Sequence, residues 1–203
     1  MSATTKPRLV LASQSPSRAS ILRGAGVEPV LHPADVDEDA IIASMPSATP
    51  ADIVAALAKA KAEKVAAAYP RDLVIGGDSM LLLDGELQGK PHTVDNTIAR
   101  WRRQAGKTAQ LLTGHHIIFG DAHFNETAST TVHFASASDA DITAYASTGE
   151  PLQCAGAFTL EAIGGWFIDR IEGDPSSVIG LSLPVVRRAV YSFGLDVSRF
   201  WNR

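Results

Sequence analysis

Several short stretches carry side chains able to handle phosphate or a metal ion. Ser13-Gln14-Ser15-Pro16-Ser17-Arg18 falls between an apolar run and the start of a helix. A helix N-terminus offers unpaired backbone N–H groups and partial positive charge, so it favours anions. Ser13 and Ser15 add hydroxyls, and Arg18 adds a forked cation suited to phosphate, although a plain cap would read the same in isolation. Lys61 falls on the helical face that carries Val54, Leu57, Ala58, Val65 and Ala68, while Lys59, Glu63 and Lys64 lie off it. An ammonium on a core stripe needs a partner, a ligand or a snorkelling route to water. Asp78 follows the apolar run Leu73–Gly77 and is expected to close that strand, where it could act as metal ligand or general base. Asp37-Glu38-Asp39 could supply a second carboxylate or simply be a solvated loop. Gly89-Lys90-Pro91 places a lysine after a hairpin, and Thr113-Gly114-His115 offers a hydroxyl and an imidazole after a strand.

Other patterns fail on inspection. Gly85 to Gly89 has the wrong spacing for a P-loop, and Pro91 stands where Ser or Thr is needed. Gly24-Ala25-Gly26 follows a helix and lacks the third glycine of a dinucleotide fingerprint. His115-His116 matches no zinc pattern, and His116, His123 and His133 read as strand or surface residues. Trp101, Trp166 and Trp201 read as packing residues rather than base-stacking platforms.

The elements that must position these groups alternate between strand and helix. Strands are expected at Leu9–Ala12, Leu73–Gly77, Met80–Leu83, Leu111–Phe119, Thr130–Phe134, Ala155–Phe158 and Trp166–Ile171. Asp84-Gly85 signals a hairpin turn into Glu86-Leu87. Helices are expected at Pro16–Arg23, from the Thr49–Asp52 capping box to about Ala68, from Thr93 to Gly106, from the Ser138–Asp141 capping box to Gly149, and at Pro184–Phe193. The class is therefore α/β with a mixed sheet, in one domain over residues 1–203, with a second lobe over about Met80 to Phe134. The 203 residues suffice for a sizeable core. Eighteen Lys and Arg against 22 Asp and Glu give a net charge of -4, which disfavours a nucleic-acid coat or a basic membrane-surface protein. One cysteine, Cys154, and a polar N-terminus without a signal pattern point to a cytoplasmic protein. No apolar run approaches the roughly 20 residues of a membrane span.

Together these groups suit a polyphosphate bound with a divalent cation. At this level of detail the chain resembles the Maf family of nucleoside triphosphate pyrophosphatases. The matching pieces run in order: Leu11–Arg18, Val36-Asp37-Glu38, Leu57–Ala62, Val74–Ser79, Leu83–Pro91, Thr113–His115, Gly149-Glu150-Pro151, Ala155–Phe158 and Val178–Leu181. The resemblance implies an elongated, two-lobed, inosine triphosphatase-like fold with a central cleft. It implies hydrolysis of the α–β phosphate bond, giving a nucleoside monophosphate and pyrophosphate, with Mg²⁺ or Mn²⁺ as cofactor. By the same resemblance Ser13, Ser15, Arg18, Lys61 and Lys90 would hold phosphates, with Lys61 and Lys90 also assisting catalysis. Thr113, His115 and Glu161 would complete the substrate site, Glu38 and Asp78 would hold metal, and Asp78 would accept the proton from water. A homodimer is compatible with the family. The family name also carries a second reading, a regulator of septum formation whose hydrolysis is incidental.

The chain departs from the common pattern at Ser17, where many members have arginine, at Cys154, where many have lysine, and at Thr159-Leu160-Glu161, where many have Gly-Ile-Gln. The last two resemble the branch acting on 7-methyl-GTP more than the branch acting on dTTP and UTP. A carboxylate at Glu161 would suit a positively charged methylated base.

Overall fold

A computed structural model describes residues 6–202. Met1–Thr5, part of the polar N-terminal segment, and Arg203 lie outside the described residues. Among the described residues seven strands form one mixed sheet: β1 (Leu9–Leu11), β2 (Val30–Leu31), β3 (Leu73–Leu83), β4 (Glu86–Gln88), β5 (Thr108–Phe119), β6 (Ala122–Phe134) and β7 (Ile168–Glu172). Their order is β2-β1-β3-β5-β6-β7, with β4 also paired to β3. β1 runs parallel to both β2 and β3, and the remaining pairs are antiparallel. Among the described residues seven α-helices complete the α/β architecture: α1 (Pro16–Gly24), α2 (Glu38–Ala43), α3 (Pro50–Ala66), α4 (Val94–Gln104), α5 (Asp139–Ser147), α6 (Pro175–Ile179) and α7 (Leu183–Ser192). Among the described residues no helix is long and apolar enough to cross a membrane.

The organising feature is β3. One of its edges pairs continuously with β5 from Leu73 to Leu82. Its other edge pairs with β1 only over Leu73–Ile75 and with β4 only over Leu81–Leu83. The backbone of Gly76–Met80 therefore has no strand neighbour on that edge. Apolar cores form on either side of this gap. One gathers Leu9, Leu11, Leu73, Ile75, Ile117, Val186 and Val190; the other gathers Leu81, Leu83, Trp101, Leu111, Phe134 and Tyr145. The two cores thus share β3 and β5, and a cleft opens at the gap between them.

α3 lies across one face of β3 and β5 at very close range. A Cβ on Gly76 would collide with Ala58 O, and one on Gly114 would collide with Val54 O. The absence of both side chains lets the helix sit directly on the strands. The opposite face packs against α1, α6 and α7 around the first core and against α4 and α5 around the second.

Most capping signals act as the sequence indicates. Ser15, Thr49, Thr93 and Ser138 each accept from a backbone N–H in the first turn of the helix they open. Asp84 and Gly85 both have positive φ, 51° and 81°, as a tight hairpin turn requires.

Four expectations need correction. Asp78 does not close a strand but sits in the middle of the eleven-residue β3, because β5 carries the pairing through both glycines. The acidic stretch at Asp37–Asp39 is not all loop: Asp37 caps α2 and Glu38 is its first residue. Ala155–Ala157 and Ile163–Phe167 form 3-10 turns instead of strands, and β7 begins only at Ile168. Gly156 at φ 71° is incompatible with an extended run there. Trp166 is 85% exposed and is not a packing residue, whereas Trp101 is fully buried, with its indole N–H donating to Ala157 O at 2.6 Å.

Candidate active site

The cleft has a volume of about 720 Å³, within the range of small-molecule sites. Ser13, Ser15, Arg18, Glu38, Lys61, Asp78, Lys90 and Glu161 all line it. They come from six separate parts of the chain: the β1–α1 loop and helix start, α2, α3, β3, and the segments after β4 and after α5.

Arg18 projects from the first turn of α1 and is buried. Its Nε donates to Gly180 O at 2.7 Å, Nη1 to Ser13 Oγ at 3.1 Å, and Nη2 to Ser79 Oγ at 3.1 Å. All three partners are neutral, so the guanidinium keeps its full charge for an anion in the cleft. Burial lowers its pKa, opposed by the negative fields of Asp78 and Glu38. Ser13 Oγ also accepts from Ser15 N at 3.1 Å, and Ser15 Oγ accepts from Arg18 N, closing the anion-binding turn.

On the α3 side, Lys61 lies between two carboxylates. Its Nζ is 2.6 Å from Asp78 Oδ1 and 2.9 Å from Glu38 Oε1. Lys61 and Asp78 are buried, while Glu38 is half exposed. The second Asp78 oxygen, Oδ2, is buried and has no hydrogen-bond partner among the described residues. Burial pushes the Asp78 carboxyl above the ordinary carboxylate range, against the pull of Lys61 and Arg18. An orphaned, buried carboxylate oxygen beside a second carboxylate is the donor chemistry that Mg²⁺ or Mn²⁺ takes, so the residues fit a hard divalent cation.

The far wall is built around Glu150, a residue whose role sequence reasoning missed. Its carboxylate accepts from Tyr145 Oη (3.2 Å), Thr159 Oγ1, Ile163 N (3.2 Å) and Gly164 N (3.0 Å). Partial burial works against ionisation, but these bonds hold Glu150 below the usual carboxylate range. It fixes the loop that presents Glu161. Glu161 is exposed, and its carboxylate accepts from the adjacent Leu160 N. Cys154 also lines the wall; burial pushes its thiol up to about 11, which keeps it protonated and unsuited to nucleophilic attack.

Two expected site residues are placed elsewhere. Thr113 and His115 do not line the cleft. Thr113 Oγ1 donates to Ser177 O at 2.9 Å and meets Ser79 Oγ at 3.0 Å, behind the Arg18 shelf. His115 lies on the face opposite α3; its Nε2 accepts from Ser182 N at 2.9 Å and its Nδ1 faces Glu126 O at 3.3 Å. That pairing requires the neutral Nδ1–H tautomer. Burial, with help from Arg18, lowers the His115 pKa to about 4. Alternation along β5 explains the result: Gly114 faces α3, so Thr113 and His115 face away from it.

The sequence profile of the family described as Maf-like protein matches residues 8–193. The chain belongs to the Maf family. Curated relatives cover nearly its whole length. A Corynebacterium aurimucosum protein is 72% identical over 96% of this chain and 98% of its own length. A Corynebacterium diphtheriae protein is 72% identical with the same coverage, and a Rhodococcus jostii protein is 54% identical over 95% of each chain. All three bear the name nucleoside triphosphate pyrophosphatase. The solved Ham1 protein of Staphylococcus aureus aligns at 16% identity over 64% of this chain and 72% of that one, with a TM-score of 0.44. That score is below the level from which a shared fold follows. Every cleft residue named above falls within the matched region, residues 8–193.

Proposed function

We propose that the cleft hydrolyses the α–β bond of a nucleoside triphosphate, releasing a nucleoside monophosphate and pyrophosphate. The observation that carries this reading is the buried Asp78 carboxylate with one oxygen on Lys61 and the other unpartnered, set opposite the Arg18 shelf. The names of the relatives agree with it.

Arg18, Ser13, Ser15 and the α1 N-terminus would cradle phosphate oxygens, and Lys90 would reach the chain from the other lobe. Lys61 orients Asp78 and supplies positive charge beside the reacting phosphorus. A divalent cation held by Glu38 and Asp78 would neutralise phosphate charge and make bound water more acidic. Asp78 accepts a proton from the attacking water; the water oxygen bonds to the α-phosphorus as the bond to the bridging oxygen breaks. Pyrophosphate carries away that bridging oxygen and its electron pair. The upward shift of Asp78 suits a general base, whose efficiency rises as its pKa approaches the working pH.

For the base, the exposed carboxylate of Glu161 on the cleft wall supports a nucleotide with a positively charged ring, such as 7-methyl-GTP, over a pyrimidine such as dTTP or UTP. Removal of modified nucleotides from the pool is the corresponding role. The test is a panel of dTTP, UTP, CTP, GTP and 7-methyl-GTP with Mg²⁺ or Mn²⁺ and separation of products. The reading predicts monophosphate plus pyrophosphate, with 7-methyl-GTP ranked first and its lead reduced in Glu161→Gln. Tight nucleotide binding without turnover would instead favour the regulatory reading.

A further inference from the structure

A second cluster of ligating groups lies outside the cleft, where the sequence offered only strand and surface histidines. It joins Glu63 on α3, His116 on β5 and His123 at the start of β6. One ligand atom from each lies within 4.8 Å of the other two. None of the three lines the cleft.

The register brings the group together. In the β5–β6 hairpin His116 stands opposite Asn125, and His123 stands opposite Ile118. His116 and His123 are therefore diagonal neighbours on one face of the hairpin, near enough for two imidazoles to meet. α3 covers that face, since Gly114, two residues from His116, lies directly under its backbone. Glu63 thus arrives from above, and Lys59 one turn earlier stands 3.8 Å from the Glu63 carboxylate.

The hydrogen bonding prepares His116 as a ligand. Its Nδ1 meets Asn125 Oδ1, an oxygen that can only accept. The ring proton therefore sits on Nδ1, and the Nε2 lone pair points to His123 Nδ1 at 3.1 Å. A nitrogen fixed in this way by a second hydrogen bond is the usual support of a metal-binding histidine. A 3.1 Å separation is close to the edge of a tetrahedron whose metal–nitrogen bonds are about 2.0–2.1 Å. His116 is buried while Glu63 and His123 are exposed, so an ion seated there would have one open side for water.

We propose that Glu63, His116 and His123 form a binding site for a Zn²⁺-class divalent cation, clipping α3 to the β5–β6 hairpin. Two imidazole nitrogens and a carboxylate oxygen suit Zn²⁺, Ni²⁺ or Cu²⁺ and disfavour Mg²⁺, which takes oxygen ligands. The site is thus chemically distinct from the Glu38–Asp78 pair. On binding, His123 carries its proton on Nε2, towards solvent, and presents the Nδ1 lone pair. Asn125 is a positioning residue.

The experiment uses the full chain freed of metal by chelation. Zn²⁺ binding is followed by calorimetry, Co²⁺ binding by its visible d–d absorption, and thermal stability with and without Zn²⁺. The variants are His123→Gln and Glu63→Gln, both at exposed positions, with Asp78→Asn as the control for the cleft. The expected result is one tight Zn²⁺ per chain, tetrahedral Co²⁺ bands and a raised Tm. His123→Gln and Glu63→Gln should each weaken this binding at least tenfold while Mg²⁺-dependent hydrolysis is unchanged. Asn125→Leu should weaken it by about 10–100-fold, and Asp78→Asn should leave it intact. Equal Zn²⁺ affinity in wild type and His123→Gln would overturn the proposal. So would loss of the tight site in Asp78→Asn alone, which would assign the ion to the cleft.

Discussion

The two faces of the β3–β5 strand pair handle buried polar groups in opposite ways. On the face turned from α3, the side chains of Thr113, Thr130, Ser177, Ser182 and His115 all have hydrogen-bond partners. Thr130 Oγ1 meets Ser177 Oγ at 2.9 Å, Ser177 Oγ donates to Asp174 O at 2.8 Å, and His115 accepts from the start of α7. On the α3 face, Asp78 keeps one buried oxygen without a partner among the described residues, and Lys61 balances two carboxylates. A satisfied network holds structure together, whereas an unsatisfied one stores binding capacity for a ligand. Both faces were rich in plausible site residues in the sequence; what sets Asp78 apart is an unpartnered carboxylate oxygen in the cleft beside Lys61 and Glu38, whereas Asp174 Oδ2, also without a partner among the described residues, lies outside the cleft lining.

The largest effect should come from the unsatisfied side. Asp78→Asn keeps the shape and removes the base, so turnover should fall by about 10²–10⁴-fold with nucleotide affinity kept within a few-fold. Steady-state kinetics alongside equilibrium binding separate the two. Because the ionised form of Asp78 is the active one, wild-type kcat/KM should climb with pH along its acid limb, and that limb should be missing from the residual activity of Asp78→Asn. An acid limb unchanged in Asp78→Asn would remove the case for Asp78 as the base.

Next comes a contrast between adjacent glycines. Gly76→Ala drives a methyl into the backbone of α3 and should cost about 3 kcal/mol or more. Gly77→Ala faces Arg18 Nε and Gly114 O, both 3.6 Å from the new carbon, and should be tolerated in denaturant unfolding. Equal costs would mean that the two faces are not packed as differently as described.

The satisfied side should reveal itself through acid sensitivity. His115 has a pKa of about 4 in the folded chain against about 6.5 unfolded, so the unfolded state binds more protons between those values. Its contribution is complete above pH 6.5 and is lost as pH falls towards 4, by about 3 kcal/mol at most. In His115→Gln the stability difference between pH 7 and pH 4.5 should shrink accordingly. The smallest effect is expected for Thr113→Val, which leaves Ser177 O and Ser79 Oγ each short of a partner. About 1–2 kcal/mol of stability should go, with kcat within a few-fold of wild type.

Much of this was legible in the sequence because it is local. Capping boxes at Thr49 and Ser138 and the Asp84-Gly85 turn depend on residues a few positions apart. Lys61 stood out because a charge on an apolar stripe violates helical periodicity, and the structure gives it two carboxylate partners. What stayed hidden depends on distant pairing. The continuity of β3 through Gly76-Gly77 is set by β5, forty residues on, and it moved Asp78 from a strand end to mid-strand. The same pairing decided which way His115 and His116 point, which no dipeptide can reveal. Glu150 was invisible because its partners are mostly backbone N–H groups and hydroxyls of a loop without periodicity.

The most direct test of the central claim is product analysis in ¹⁸O-labelled water, run on wild type and Asp78→Asn with Mg²⁺ and the best nucleotide. Water attack at the α-phosphorus with Asp78 as base predicts ¹⁸O in the monophosphate, unlabelled pyrophosphate, and near-complete loss of both products in the variant. Release of orthophosphate, label in the pyrophosphate, or undiminished turnover by Asp78→Asn would contradict it.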